Sequence, residues 1–198
     1  MERYKLGRVC FLKASILCLY SNNQTNSPNS QNSPIVFFTP GEVAAAGYTG
    51  YITNRTITGL FAQEIKGAAV MLEHRYYGSS SPYDTLTVEN LQLLNVEQAI
   101  EDGINFAKNV EFPFDTDHSS NADKAPWVFS GGSYSGALSA YTASVHPNVF
   151  WAYHSSSAPV EAIHDYVSLH SCHSIEEFYL IQTVAIFCTG SARNAKEL

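Results

Sequence analysis

Apolar residues in the middle of the chain fall into four short runs, and between the runs they recur at helical spacing. The first run, Ile35–Phe38, is closed by Thr39-Pro40-Gly41, which predicts a buried strand followed by a turn. Residues 56–65 carry Ile57, Leu60, Phe61 and Ile65 on one helical face, and after Gly67 the run Ala68–Leu72 predicts a second strand. Val96–Asn109 predicts a longer helix with Val96, Ala99, Ile100, Gly103, Ile104 and Ala107 on one face. Asn95 is placed to cap it, and Gln98, three residues on, to answer in a capping box. Residues 127–129 predict a third strand, residues 137–145 a helix that Pro147 stops, and residues 149–153 a fourth strand. This alternation predicts an α/β fold, a mostly parallel sheet with right-handed crossovers and helices over both faces.

Two stretches stand outside the alternation. Residues 21–34 are Asn, Ser, Gln and Pro with almost nothing apolar and read as a linker, and residues 112–125 read as a polar connection. Ahead of the linker, Arg3, Lys5 and Arg8 precede VCFLKASILCLYS, which has the charge and length profile of a signal peptide. Lys13 inside so short an apolar core impairs insertion, and an irregular start is the competing reading. No apolar run approaches the roughly 20 residues needed to cross a bilayer, so no transmembrane helix is expected.

With 198 residues, 45% apolar and 13% aromatic, the chain is long and apolar enough for one domain with its own core. A net charge of -7, 11 Lys and Arg and no basic run argue against nucleic acid or an anionic membrane as partner. Cys10, Cys18, Cys172 and Cys188 form no Cys-x-x-Cys pair and have no matching histidine spacing, so no metal site is expected. Asn23-Gln24-Thr25 and Asn54-Arg55-Thr56 are glycosylation acceptors if the chain enters the secretory pathway.

The candidate chemistry lies in WVFSGGSYSGALSAYTASVHP, where Ser133 follows two glycines at a strand-to-helix turn. Three readings compete. In a nucleophile elbow, small neighbours let the backbone turn sharply and hold Oγ above the sheet, with the next helix aiming its amides at the reacting oxygen. A phosphate-cradling loop needs a Gly-Lys-Ser/Thr ending or another glycine spacing, and neither is present. The third reading is a tight connection whose small residues only permit close packing. The usual elbow is Gly-x-Ser-x-Gly, and here Ser135 stands where the second glycine belongs. The elbow places Ser133 at the C-terminal edge of a parallel sheet, where open α/β sheets bind ligands. The polar and aromatic loop Glu73-His74-Arg75-Tyr76-Tyr77-Gly78 is expected at the same edge.

Glu73-His74-Arg75-Tyr76-Tyr77-Gly78 and Gly131-Gly132-Ser133-Tyr134-Ser135-Gly136, in this order and separation, resemble the serine carboxypeptidase S28 family. Phe37-Phe38-Thr39-Pro40-Gly41-Glu42 and Ser156-Ser157-Ala158-Pro159-Val160-Glu161-Ala162-Ile163 fit the same resemblance, which covers about residues 34–166. It implies an α/β-hydrolase exopeptidase with a Ser-Asp-His triad, cleaving peptide substrates next to proline near a chain end, with no metal or other cofactor. By position Ser133 matches the nucleophile and the Tyr134 amide one oxyanion donor. The Gly41-Glu42 turn lies where the second donor, Glu42, is expected. Gly41, Glu73, His74, Arg75 and Tyr76 would line or buttress the pocket; the alternative is that His74 and Arg75 merely hold loops together. With the sequons at Asn23 and Asn54, the resemblance implies an extracellular or secretory, lysosome-like compartment.

The departures from the family pattern set the remaining expectations. The triad acid and base belong on loops after later strands, and neither those strands nor the helical cap domain is found downstream of Ser133. The chain then reads as an irregular segment, 1–33, a partial α/β-hydrolase domain, 34–166, and an unassigned tail, 167–198. The tail offers His170, His173, Glu176 and Glu177, but it is too short to build two further strands, so none is assigned as base or acid. Two hypotheses stand: a serine exopeptidase represented by an incomplete chain, or a non-catalytic fragment with at most a binding role. An esterase of the same fold is a third. No histidine is expected within reach of Ser133 Oγ, His74 and His154 being the nearest rivals. Phe150, Trp151 and Tyr153 are expected to be exposed unless residues 179–187 cover them. Amino- or carboxyl-end specificity and oligomeric state have no signature in the sequence.

Overall fold

The computed structural model describes residues 33–112, 115 and 117–160, together with the backbone of four further strands, Lys5–Leu6 (β1), Val9–Cys10 (β2), Ile16–Leu19 (β3) and Val184–Cys188 (β8). Between them lie β4 (Ile35–Phe38), α1 (Ile57–Glu64), β5 (Ala68–Leu72), α2 (Val96–Asn109), β6 (Trp127–Gly132), α3 (Tyr134–Val145) and β7 (Ala152–Ser156). Short 3-10 helices occupy Ala45–Ile52 and Asn90–Leu93.

Six strands form one sheet in the order β3-β5-β4-β6-β7-β8. The four central strands are parallel, with Ile35 opposite both Ala68 and Trp127, and Val128 opposite Ala152. This is the α/β architecture that the alternating periodicity predicts. β4 and β5 read as unbroken apolar runs because both their faces are buried. Ile35 and Phe37 face one cluster, with Phe129, Phe150, Ile100, Ile104 and Leu138 under α2 and α3. Val36 and Phe38 face the other, with Ala62, Met71 and Ile52 under α1 and the first 3-10 helix. Phe37 is the hinge of the larger cluster: its ring lies 4.8 Å from that of Phe129 and 5.9 Å from that of Phe150. Burying a ring of this kind contributes about 3 kcal/mol.

Several boundaries differ from the sequence reading. α3 begins at Tyr134, directly after Ser133, rather than at residue 137. β7 begins at Ala152, because residues 149–151 form the turn that leads into it: the Val149 amide donates to the His146 carbonyl (3.3 Å) and the Phe150 amide to the Tyr153 hydroxyl (3.1 Å). Asn95 caps α2 by accepting from the Gln98 amide at 2.9 Å. The Gln98 side chain turns instead toward Arg75, 3.4 Å away, so half of the capping box serves another loop.

Exposure of Phe150, Trp151 and Tyr153 is expected only if the tail leaves them uncovered, and a tail strand, β8, lies along β7. Phe150 and Tyr153 are 2% and 0% exposed, packed in the larger cluster with Phe37, Trp127 and Phe129, while Trp151 is 45% exposed. Both outer edges of the parallel strands carry an antiparallel neighbour, β3 along β5 and β8 along β7. β3 falls in the stretch read as resembling a signal peptide, and β8 in the tail. Among the described residues no helix is long and apolar enough to cross a membrane.

Candidate active site

The parallel direction of β4 to β7 brings the ends of β4, β5, β6 and β7 to one edge of the sheet. There the chain leaves β6 at Gly132, reverses at Ser133 and enters α3 at Tyr134. Ser133 has φ 55 and ψ -131, a backbone conformation that residues other than glycine rarely adopt. Its amide donates to the Ser156 carbonyl at 3.0 Å and its carbonyl accepts from Ala137 at 3.0 Å, which fixes the turn from both sides.

The small residues around the turn are not equivalent. A Cβ on Gly131 would stand 2.2 Å from the Ser135 carbonyl oxygen, and one on Gly136 2.7 Å from the Ser156 carbonyl oxygen. One on Gly132 would meet nothing closer than 4.0 Å. The close approach to the next strand that the Gly-x-Ser-x-Gly pattern assigns to position 135 therefore falls on Gly136, and Ser135 is accommodated. The Ser135 side chain is buried, and among the described residues its hydroxyl meets no hydrogen-bond partner.

Ser133 is exposed at the mouth of this turn, beside the amide end of α3. Such an arrangement presents a hydroxyl and helical N–H groups to one point in space, which suits attack on a carbonyl whose oxygen becomes negative. The described histidines all bond elsewhere. His118 faces the Val110 carbonyl, His146 faces Glu101 at 3.1 Å, and His154 Nδ1 of β7 lies 3.0 Å from Ser130 Oγ of the neighbouring β6. Burial lowers the pKa of His154, whose ring stands edge-on to Phe61. His74 Nδ1 lies 2.8 Å from the Arg75 carbonyl and its Nε2 3.0 Å from the Tyr134 hydroxyl. His170, His173, Glu176, Glu177 and Asn23 lie outside the described residues.

The loop after β5 is built from opposite charges used as brackets. Glu73, 5% exposed, accepts from the Ala45 amide at 2.9 Å with one oxygen, and from the Ser79 amide and Ser80 hydroxyl, both at 2.8 Å, with the other. It ties the loop after β4 to the end of its own loop. Gly78, at φ 56, lets the backbone pass so near that a Cβ there would lie 1.9 Å from Glu73 Oε1. Arg75, 4% exposed, binds Asp102 of α2 through two N–H groups at 2.6 and 2.7 Å and donates to the Leu93 carbonyl at 2.8 Å. Tyr76, at φ 71, donates its hydroxyl to the Asn90 carbonyl. A cavity of 20 Å³, room for one water, is lined by Glu73, His74, Arg75 and Asp102; neither Gly41 nor Tyr76 lines it.

Gly41, at φ 80, turns the chain after β4, and a Cβ there would lie 3.6 Å from Tyr134 Cδ1, in ordinary contact with the ring. Glu42 is exposed next to it, and its charge acts on both His74 and Tyr134. Burial, with the Glu42 charge second, pushes the Tyr134 hydroxyl up to about 12. Burial lowers the pKa of His74. The contacts absent from the sequence reading are Asp102 as partner of Arg75, Ala45 as partner of Glu73, and the Tyr134 hydroxyl on His74.

Comparison with known proteins agrees with this arrangement. The family model of serine carboxypeptidase S28 matches residues 19–194. Serine protease vicPb of Bipolaris victoriae (strain FI3) is 39% identical over 175 residues, which are 84% of this chain and 33% of that protein. Serine protease vicPa of the same fungus is 46% identical over 134 residues, 68% of this chain and 25% of that protein. A probable extracellular serine carboxypeptidase of Arthroderma benhamiae (strain ATCC MYA-4681 / CBS 112371) is 33% identical over 136 residues, 69% of this chain and 19% of that protein. The chain thus spans between a fifth and a third of the length of these relatives. With its parallel sheet, covering helices and serine at a strand-to-helix turn, the chain belongs to the serine carboxypeptidase S28 family.

Proposed function

We propose that this chain carries the nucleophile and the oxyanion donors of a serine exopeptidase that hydrolyses peptide bonds next to proline. The observation that carries the reading is Ser133 at φ 55 between β6 and α3, a strained position for a serine on the edge of a parallel sheet. Ser133 Oγ attacks the scissile carbonyl carbon while a base takes its proton. The carbonyl oxygen, now negative, is received by the amides of Tyr134 and Glu42, each such donor being worth about 10² to 10³ in rate. The amine leaves with a proton, and water then releases the acyl group from Ser133. Gly41 shapes the turn that offers the Glu42 amide, and Glu73, Arg75 and Tyr76 hold the surrounding loops.

Each described histidine is bonded away from Ser133, so a working triad requires a base and its carboxylate from outside the described residues. Without them Ser133 is a poor nucleophile, and the donors alone leave about 10³ to 10⁴-fold over water. That same observation favours the second reading, a non-catalytic fragment with at most a binding role. The relative described as extracellular, and Asn54 exposed in the turn before α1, support a secreted or lysosome-like, glycosylated protein.

The deciding experiment labels the chain and its Ser133→Ala variant with a fluorophosphonate and assays both on proline-containing peptides blocked at one end or the other. Trace labelling that vanishes in S133A is the expected result. Equal labelling of the two removes Ser133 as nucleophile, while fast labelling that depends on Ser133 shows a complete triad and removes the fragment reading.

A further inference from the structure

Tyr134 touches both halves of the proposed oxyanion site. Its amide stands directly after Ser133, and its ring lies against the Gly41-Glu42 turn, where the second amide is found. The far end of the ring reaches His74 Nε2 at 3.0 Å. The direction of that bond follows from the other ring nitrogen. The Arg75 carbonyl, 2.8 Å from Nδ1, can only accept, so Nδ1 carries a proton. Burial keeps the imidazole neutral near pH 7, which leaves Nε2 as an acceptor and the Tyr134 hydroxyl as the donor. The other groups facing His74 are the Tyr77 ring, edge-on with centroids 5.5 Å apart, and the charges of Arg75, Asp102 and Glu42. His74 is itself held, because the carbonyl it binds belongs to Arg75, whose guanidinium is clamped to Asp102 of α2.

We propose that His74 is a positioning residue: by accepting the Tyr134 hydroxyl proton it fixes the ring that spans from the elbow to the Gly41 turn, and so sets the two oxyanion amides relative to each other. The inference rests on the reading of Ser133 as nucleophile. It assigns separate duties within one residue. The Tyr134 hydroxyl has its proton committed to His74 and is no third oxyanion donor, while the Tyr134 amide remains free for substrate. It also removes His74 as the general base, since both its nitrogens are engaged. Losing the His74 acceptor leaves the amides present but loosely set, and small misplacements of this kind cost rate steeply.

The test uses the 198-residue chain with His74→Ala, His74→Gln, Tyr134→Phe and the H74A/Y134F double variant. Gln keeps an acceptor near the position of Nε2. Nitrogen-15 NMR is expected to show the Nδ1–H tautomer at His74, and a Tyr134 amide signal that moves in H74A and Y134F but returns in H74Q. Fluorophosphonate labelling of Ser133 is expected to slow about tenfold in either single variant, to slow no further in the double variant and to recover in H74Q. An Nε2–H tautomer, a Tyr134 amide signal indifferent to H74A, or losses that multiply in the double variant would overturn the proposal. If H74A fails to melt cooperatively, the wild-type tautomer and Y134F decide. Labelling unaffected by S133A sinks the nucleophile reading, whereas the tautomer and the amide signal judge the His74 contact separately.

Discussion

The two glycines before Ser133 look interchangeable in the sequence, and the structure separates them sharply. A methyl group on Gly131 would sit 2.2 Å from the Ser135 carbonyl oxygen, 2.4 Å from its carbon and 2.7 Å from the Gly136 nitrogen. All three are backbone atoms at the start of α3, so relief requires the elbow itself to move by nearly an ångström. Overpacking of that kind costs about 3 kcal/mol, against a total stability on the order of 10 kcal/mol. For a chain of this size the loss lowers Tm by about 6 to 12 °C. The same methyl on Gly132 meets nothing within 4.0 Å and lies at no positive φ, so Gly132→Ala is expected to change stability by less than about 1 kcal/mol in either direction. Urea unfolding of both variants, followed by tryptophan fluorescence, reads the difference directly. A Gly131→Ala chain as stable as wild type, or a Gly132→Ala chain losing as much, would refute the steric account of the turn.

Arg75→Met should destabilise by about 3 kcal/mol, because it leaves the Asp102 carboxylate unpaired at 19% side-chain exposure; a urea midpoint equal to wild type would show the pair to be dispensable. Ser133→Gly should raise stability by about 1 kcal/mol and Ser133→Ala should not, since only glycine relieves a backbone at φ 55; an alanine variant more stable than the glycine one contradicts the strain. His74 and His154 both have pKa values depressed below 6.5 by burial, so the unfolded chain binds more protons than the folded one below that pH. Their contribution is fully present above pH 6.5 and is lost as the pH falls toward the depressed folded values, so Tm should fall on acidification through this window, less steeply in H74Q. A Tm that rises there would reverse the sign of the argument.

The strands β4 and β5 and the helix α2 were legible because burial writes itself into periodicity. β4 and β5 are apolar at every position, and α2 keeps its core face at helical spacing with Asn95 as its cap. β7 was misplaced because residues 149–151 are as apolar as a strand but turn about the Tyr153 hydroxyl, a contact without a local signature. The start of α3 was hidden because its first residues, Tyr134, Ser135 and Gly136, look like turn residues. The elbow at Ser133 was visible through its small neighbours, yet what surrounds it was not. Arg75 and Asp102 are 27 residues apart, Glu73 and Ala45 28, and His74 and Tyr134 60, distances at which spacing along the chain carries no information.

The central place of β4 in the sheet has a bearing on how long the folded chain lives. β4, α1 and β5 are consecutive and close a short loop, whereas β6 joins the other side of β4 only after a much longer excursion through α2. Loop-closure entropy favours the short pairing first, which puts the elbow among the last parts to assemble. Strain and crowding at Ser133 and Gly131 then fall mainly on the native side of the folding barrier. Stopped-flow measurements on Gly131→Ala should accordingly show faster unfolding with a nearly unchanged folding rate. The turn that holds Ser133 would be the point from which the native state opens, so it governs the persistence of the fold more than the speed of its formation.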